Sequence, residues 1–247
     1  MLKKEEEGRL LLISTMYHNI GTDKYSNNID VFKQHLIYIK NNFNIVLPSD
    51  KLNGTDICLT FDDAFYNFYE YVFPLLNELN IKVILAVPTK FILDDTEELK
   101  ENRLSIKHDD TYTNIPKAPF CTFKELKEMS DSGLVQIASH SHNHINLNEC
   151  NSVEFELQKS KEILEQKLSI KCDIFIFPFG KYNNEVLEET RKYYKFMFRI
   201  GNATNKDFDG IKDVIYRINA DDLKDEKDIF SFKNMLKYKI KQLIKSI

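Results

Sequence analysis

Ile57-Cys58-Leu59-Thr60-Phe61-Asp62-Asp63 runs from an unbroken, largely apolar segment into two adjacent carboxylates. A segment that is apolar on successive positions, rather than on alternate ones, suits a strand covered by helices on both faces. Such strands build the parallel sheets and barrels of α/β proteins, where ligands bind at the carboxyl ends of the strands. The Asp pair stands at that end. Adjacent side chains leave a strand in opposed directions, so one carboxylate can bind a metal ion while the other accepts a proton. Taken alone, such a pair more often marks an Asx turn or a helix cap, and a helical pattern does open near Tyr66.

Working outward, residues 10–16, 44–47, 83–87, 135–139, 174–177, 195–199 and 214–218 also read as strands. Helical patterns alternate with them at 31–42, 66–80, 153–168 and 184–193. Thr122-Phe123-Lys124-Glu125 is a capping box, and the helix it opens is expected to stop at Gly133. Strand–helix alternation over the whole length predicts an α/β fold with a mostly parallel sheet or barrel, as a single domain over 1–247. Residues 94–119 break the rhythm. They are polar and aperiodic, and read as a lid, a binding loop or a solvated excursion.

Composition narrows the function classes. Of 247 residues, 43% are hydrophobic, enough for a substantial core, and a net charge of −4 argues against nucleic-acid binding. Cys58, Cys121, Cys150 and Cys172 are scattered without a C-x-x-C pair and read as reduced thiols. The charged start, Met1-Leu2-Lys3-Lys4-Glu5-Glu6-Glu7, lacks the apolar core of a secretory signal, and no stretch approaches transmembrane length. A cytoplasmic location is expected.

A second cluster, His140-Ser141-His142-Asn143-His144, follows the strand pattern at 135–139. In a helical turn, His140 and His144 would share a face and reach one ion, with His142 pointing elsewhere. Two imidazoles and one carboxylate suit zinc, cobalt, nickel or iron and leave coordination positions open. The remaining carboxylate can then take a proton from water.

Three motifs resemble those of the polysaccharide deacetylases, the NodB-like carbohydrate esterases: Thr60-Phe61-Asp62-Asp63, His140-Ser141-x-x-His144 and Phe177-Pro178-Phe179-Gly180. Met16-Tyr17-His18 near the start and Phe73-Pro74-Leu75-Leu76 fit the same pattern. The resemblance spans about residues 10–220. It implies a distorted, incomplete (β/α) barrel with fewer than eight strands. It implies metal-dependent removal of acetyl groups from sugars, often N-acetylglucosamine units, with zinc the first expectation. Carried over by motif, Asp63, His140 and His144 are metal ligands and Asp62 is the general base. The backbone N–H of Phe179 would hold the oxyanion, and residues 177–180, Pro178 among them, would wall the groove.

The chain departs from the family pattern in three places. It has no His after His144, so the late catalytic His is missing, and His18 is the candidate acid, as in members with an early Met-Tyr-His. Ala64 stands where many members have Gly, which is tolerable unless the backbone there needs positive φ. The third motif lacks its Arg, and Arg217 is the candidate replacement or else an ordinary strand-end ion pair. Related substrates (an O-acetyl ester, a formamide or a cyclic imide) stay open, as does a catalytically inactive carbohydrate-binding relative.

Residues 226–247 read as a basic amphipathic helix, with Lys233, Lys237, Lys239, Lys241 and Lys245 among apolar residues. Such a helix suits peripheral contact with an anionic membrane. The plainer expectation is that it packs its apolar side on the barrel, and the two are compatible.

Overall fold

The computed structural model describes residues 10–247, so the charged stretch at 1–7 discussed above lies outside it. In chain order the strands are β1 (Leu11–Tyr17), β2 (Asn19–Ile20), β3 (Ser26–Asn27), β4 (Asn44–Ile45), β5 (Thr55–Phe61), β6 (Val83–Val87), β7 (Val135–Ser139), β8 (Ile174–Ile176), β9 (Phe196–Ile200) and β10 (Ile215–Asn219). The α-helices are α1 (Ile29–Asn42), α2 (Phe73–Leu79), α3 (Lys100–Ser105), α4 (Phe123–Asp131), α5 (Val153–Leu168), α6 (Asn184–Arg191) and α7 (Phe232–Ser246).

The main sheet runs β1-β10-β9-β8-β7-β6-β5-β4, and every pairing in it is parallel. β1 also pairs with β5 from Leu11↔Thr55 to Tyr17↔Phe61, which closes seven strands into a barrel and leaves β4 as an appended edge. Seven strands rather than eight is the incomplete barrel expected.

Alternation along each strand sorts the core into two layers. Leu12, Cys58, Ile84, Ala86, Ala138, Ile174, Ile176 and Phe198 meet inside the barrel. Ile13, Ile57, Leu59, Val83, Leu85, Ile137 and Phe175 pack outward against the helices. A strand with both neighbours apolar has no solvent face, which is why these strands read as continuous apolar runs. α5 shows how a helix is oriented by this layer. Leu157, Leu164 and Leu168 are fully buried, each contributing about 1.5–3 kcal/mol, far more than helix propensity does per residue.

Several local readings hold. Thr122 and Glu125 form the reciprocal capping box at the start of α4, and the chain leaves that helix through Gly133 at φ 74°. The four cysteines are free thiols, three of them buried.

Four expectations need correction. The segment 66–80 is not one α-helix. It begins as a π-helical turn at Phe68–Val72 and becomes α2 only at Phe73. Pro74 has no N–H to give the preceding turn and its ring crowds that turn's carbonyls, so the ladder widens there. The turn holding His140 and His144 is not helical, because Ser141 and His144 take φ of 64° and 50°. Residues 94–119 are no open loop. They hold α3 and two 3₁₀ turns, His108–Thr113 and Ile115–Lys117. Arg103 anchors them. Its guanidinium lies 3.4 Å from the Tyr66 ring, bonds both carboxylate oxygens of Glu125 and donates to the carbonyls of Ala118 and Phe120. Finally, the carboxy-terminal helix starts at Phe232 rather than near 226, and it does not turn its apolar side to the barrel.

Candidate active site

The carboxylate pair sits at the barrel mouth. Asp62 continues the β1–β5 ladder, its N–H donating to the Tyr17 carbonyl at 2.9 Å. Alternation from Thr60 points its side chain toward the inside of the barrel, where Arg217 of β10 meets it. The guanidinium donates to Asp62 Oδ1 at 2.6 Å and Oδ2 at 2.8 Å, and to Thr60 Oγ1 at 2.9 Å. Arg217 is 1% exposed, so this is a buried, two-toothed ion pair of the geometry that guanidinium and carboxylate favour. Burial alone would push the Asp62 carboxyl up. The Arg217 charge, with His140, the Arg217 hydrogen bonds and His18, together outweigh it and hold the carboxyl well below the usual carboxylate range. Each carboxylate oxygen keeps a further lone pair, so Asp62 can still accept a proton or a hydrogen bond.

Beyond Asp62 the chain turns sharply, with Asp63 at φ 70° and Ala64 at φ 53°. Ala64 therefore occupies the conformation that its lack of a glycine makes costly, about 1–2 kcal/mol for an L-residue. The turn carries Asp63 to the imidazoles. Asp63 Oδ1 lies 3.2 Å from His144 Nε2 and 3.6 Å from His140 Nε2. One donor atom from each residue fits within 4.8 Å of the others. Ligands of a tetrahedral zinc ion at 2.0–2.1 Å stand about 3.3 Å apart, so the spacing fits such an ion.

The imidazoles are held in place by their surroundings. His140 Nδ1 donates to the Ile176 carbonyl at 2.7 Å, which leaves the Nε2 lone pair toward Asp63. Buried Glu156 of α5 accepts the N–H groups of His142 and Asn143 at 3.0 and 2.7 Å, clamping the turn between the two histidines. The His144 N–H donates to Ser141 Oγ at 3.0 Å. Burial lowers the His144 imidazole to about 4, against the pull of Asp63, so it stays neutral and can ligate. His142 turns away to Thr89 Oγ1 at 2.9 Å.

His18 follows β1 on the other side of Asp62. Its Nδ1 and backbone N–H bond the two carboxylate oxygens of Asp221 at 2.7 and 3.0 Å, and its Nε2 faces Asp62 Oδ2 at 3.9 Å. Burial would lower the His18 pKa. The Asp221 bond, with the charges of Asp221, Asp62 and Asp63, outweighs it and raises the pKa to about 9. His18 is thus a protonated imidazolium at neutral pH, aimed into the same space as Asp62.

Phe179 is 60% exposed at the rim, its ring centroid 4.9 Å from that of His144. It sits in a left-handed turn, φ 57°, between buried Pro178 and Gly180. Gly180 cannot be replaced freely, since a Cβ there would come within 2.6 Å of Ile200 Cγ2 at φ 62°.

Three residues escaped the sequence reading. Tyr112, from the 94–119 segment, donates its hydroxyl to Asp63 Oδ1 at 2.9 Å and stacks on His144 at 4.9 Å, nearly parallel at 7°. Nothing in an aperiodic polar stretch singled it out. Glu156 lies in the helical pattern at 153–168, where an acid reads as a solvated position. Asp221 had a usable signal. It follows a terminal strand just as Asp62 follows β5.

The chain resembles known proteins over this whole region. It is 26% identical over 195 residues to the poly-beta-1,6-N-acetyl-D-glucosamine N-deacetylase of Escherichia coli K12, covering 66% of this chain but only 28% of that protein's length. Its fold matches the Streptococcus pyogenes deacetylase PplD, solved with acetate, at a TM-score of 0.71, with 20% identity and coverage of 93% of this chain and 98% of that one. It matches IcaB from Ammonifex degensii at a TM-score of 0.70, with 18% identity and coverage of 86% and 93%. The sequence profile of the family described as polysaccharide deacetylase matches residues 49–195, more than half of the chain and both the Asp and His motifs, and with the barrel this places the protein in the polysaccharide deacetylase family.

Proposed function

We propose that this protein is a metal-dependent hydrolase that removes N-acetyl groups from an N-acetylglucosamine-type glycan. The observation that carries the reading is the convergence of Asp63, His140 and His144 on one point, with a second carboxylate and a charged imidazole beside it. The donor set of one carboxylate and two neutral imidazoles suits zinc first, then cobalt, nickel or iron. When bound, the ion supplies Lewis acidity toward the acetyl oxygen and makes water a stronger acid.

The protein's own groups do the remainder. Asp62 accepts the proton that water loses as its oxygen bonds to the acetyl carbon. Arg217 keeps that carboxylate ionised and fixed in orientation before reaction. His18 gives its Nε2 proton to the amine nitrogen as the C–N bond breaks, and Asp221 holds the ring in position through Nδ1. The Phe179 N–H is assigned to the developing oxyanion, where such a donor is worth about 2.7–4 kcal/mol. Pro178 and Phe179 form a wall for the sugar.

The reading is tested by assaying metal content and acetate release together. Purified protein is loaded with zinc and offered oligomers of N-acetylglucosamine. Stoichiometric metal with metal-dependent acetate release is expected. Metal binding without release from any acetylated sugar would overturn the assignment.

A further inference from the structure

α7 buries the wrong side for a helix that completes a core. Its buried and half-buried residues are Asn234, Met235, Tyr238, Lys239, Lys241, Gln242 and Lys245, and of the helix only Tyr238 is buried. Polar contacts fix this orientation. Asn234 Nδ2 donates to the Asp228 carbonyl at 2.8 Å, and Thr204 Oγ1 donates to Gln242 Oε1 at 2.8 Å. Lys245 Nζ sits 4.4 Å from the ring centroid of Tyr216, on β10.

The apolar residues consequently face out. Phe232 is 85% exposed, Leu236 49%, Ile240 48%, Leu243 59%, Ile244 64% and Ile247 96%. At 100° per residue the five of these within α7 fall in an arc of roughly 120°, the width of a stripe normally pressed against a core. Lys233 lies within the arc, and Lys237 and Lys239 border it on either side. Residues 232–247 contain no acid. An aqueous surface rarely leaves such a stripe open.

We infer that α7 is an interfacial helix that lays this stripe on an anionic lipid bilayer. The charge pattern selects the occupant. A stripe buried to the depth of the headgroups places Lys233, Lys237 and Lys239 at the level of lipid phosphates, with their methylene stems alongside the acyl chains. A second copy of the chain fits less well, because two such stripes face to face would bring lysine rows of like sign together and offer them no acid. Among the described residues no helix is long and apolar enough to cross a membrane, and this surface contact requires none.

The inference does not depend on the proposed reaction, and its test uses no substrate. The purified protein is floated with vesicles of equimolar phosphatidylglycerol and phosphatidylcholine, and with vesicles of phosphatidylcholine alone. It is expected to partition to the anionic vesicles, less so as salt is raised. Leu236→Glu combined with Leu243→Glu should weaken partition roughly tenfold or more while leaving the melting temperature unchanged. Lys237→Gln combined with Lys239→Gln should weaken it less and flatten the salt dependence. Failure to bind anionic vesicles, or equal binding by the double glutamate variant, would overturn the inference. So would a wild-type dimer in light scattering that the same glutamate pair disperses, since the stripe would then belong to a second copy.

Discussion

The proposed ligand half and the proposed proton-transfer half of the site are assembled in opposite ways. Asp63, His140 and His144 lie in two short motifs at the ends of β5 and β7, two strands flanking β6 in the same stretch of barrel. Their supports come from neighbouring parts of the fold: the Ile176 carbonyl on β8 and Glu156 on α5. The other half joins the two ends of the chain. Asp62 is held by Arg217, 155 residues away, and His18 by Asp221, 203 residues away. A half built from contiguous motifs should tolerate loss of distant partners. A half built across the barrel seam should not.

The sharpest way to separate the halves is Asp62→Asn. Turnover should fall by about 10²–10⁴-fold while metal content stays stoichiometric. Full turnover would sink the base assignment, and loss of metal would show that the halves are not separable. Asp221→Asn should act next most strongly, lowering turnover roughly a hundredfold by releasing His18. It also has a signature that a merely structural change lacks. In the metal-free protein the His18 ring should titrate near pH 9 and, in the variant, move down toward its ordinary 6.5. The sign for stability follows from a raised folded-state value. The His18–Asp221 pair stabilises fully below pH 6.5, and its contribution is lost as pH rises through about 9. An NMR titration with a midpoint unchanged in the variant would remove Asp221 from the mechanism.

Tyr112→Phe probes the ligand half alone. Removing the hydroxyl that donates to Asp63 should weaken metal affinity about tenfold, measured by competition with a chelator, with the His18 titration unaltered. Ala64→Gly should have the smallest effect. Relief of left-handed strain, about 1–2 kcal/mol, is offset by about 0.8 kcal/mol of lost methyl burial and about 0.4–1 kcal/mol of added freedom in the unfolded chain. Denaturant unfolding should therefore place the variant within about 1 kcal/mol of the wild type. A larger destabilisation would mean that the Asp63–Ala64 turn carries no such strain.

This contrast also explains what could be read from sequence. The barrel was legible because its strands are apolar on both faces, and residues 83–87 and 135–139 became strands with those bounds. The Asp and His motifs were legible because chemistry and spacing coincide within a few residues. Glu156, Asp221 and Tyr112 were not, because each acts on a residue that only the closed barrel brings near. The i, i+4 spacing of His140 and His144 suggested a helical turn, yet both rings converge through two left-handed residues instead. Spacing limits which side chains can meet without dictating the backbone path that joins them. The outward stripe of α7 was hidden for a related reason. Periodicity marks two faces on a helix, and only the hydrogen bonds to Thr204 and Asp228 and the cation–π contact with Tyr216 decide which one turns inward.

The closing strand has a consequence for synthesis. β1 is made first, but one of its edges waits for β10, which emerges after most of the chain. A chain interrupted before Ile215 would carry Asp63, His140 and His144, and so every proposed metal ligand, yet it would lack Arg217 and Asp221. Synthesis thus delivers the proposed metal ligands well before the groups proposed to orient the acid and base. On the proposed roles, hydrolysis requires the seam that β10 closes, whereas the proposed ligand set precedes it in synthesis.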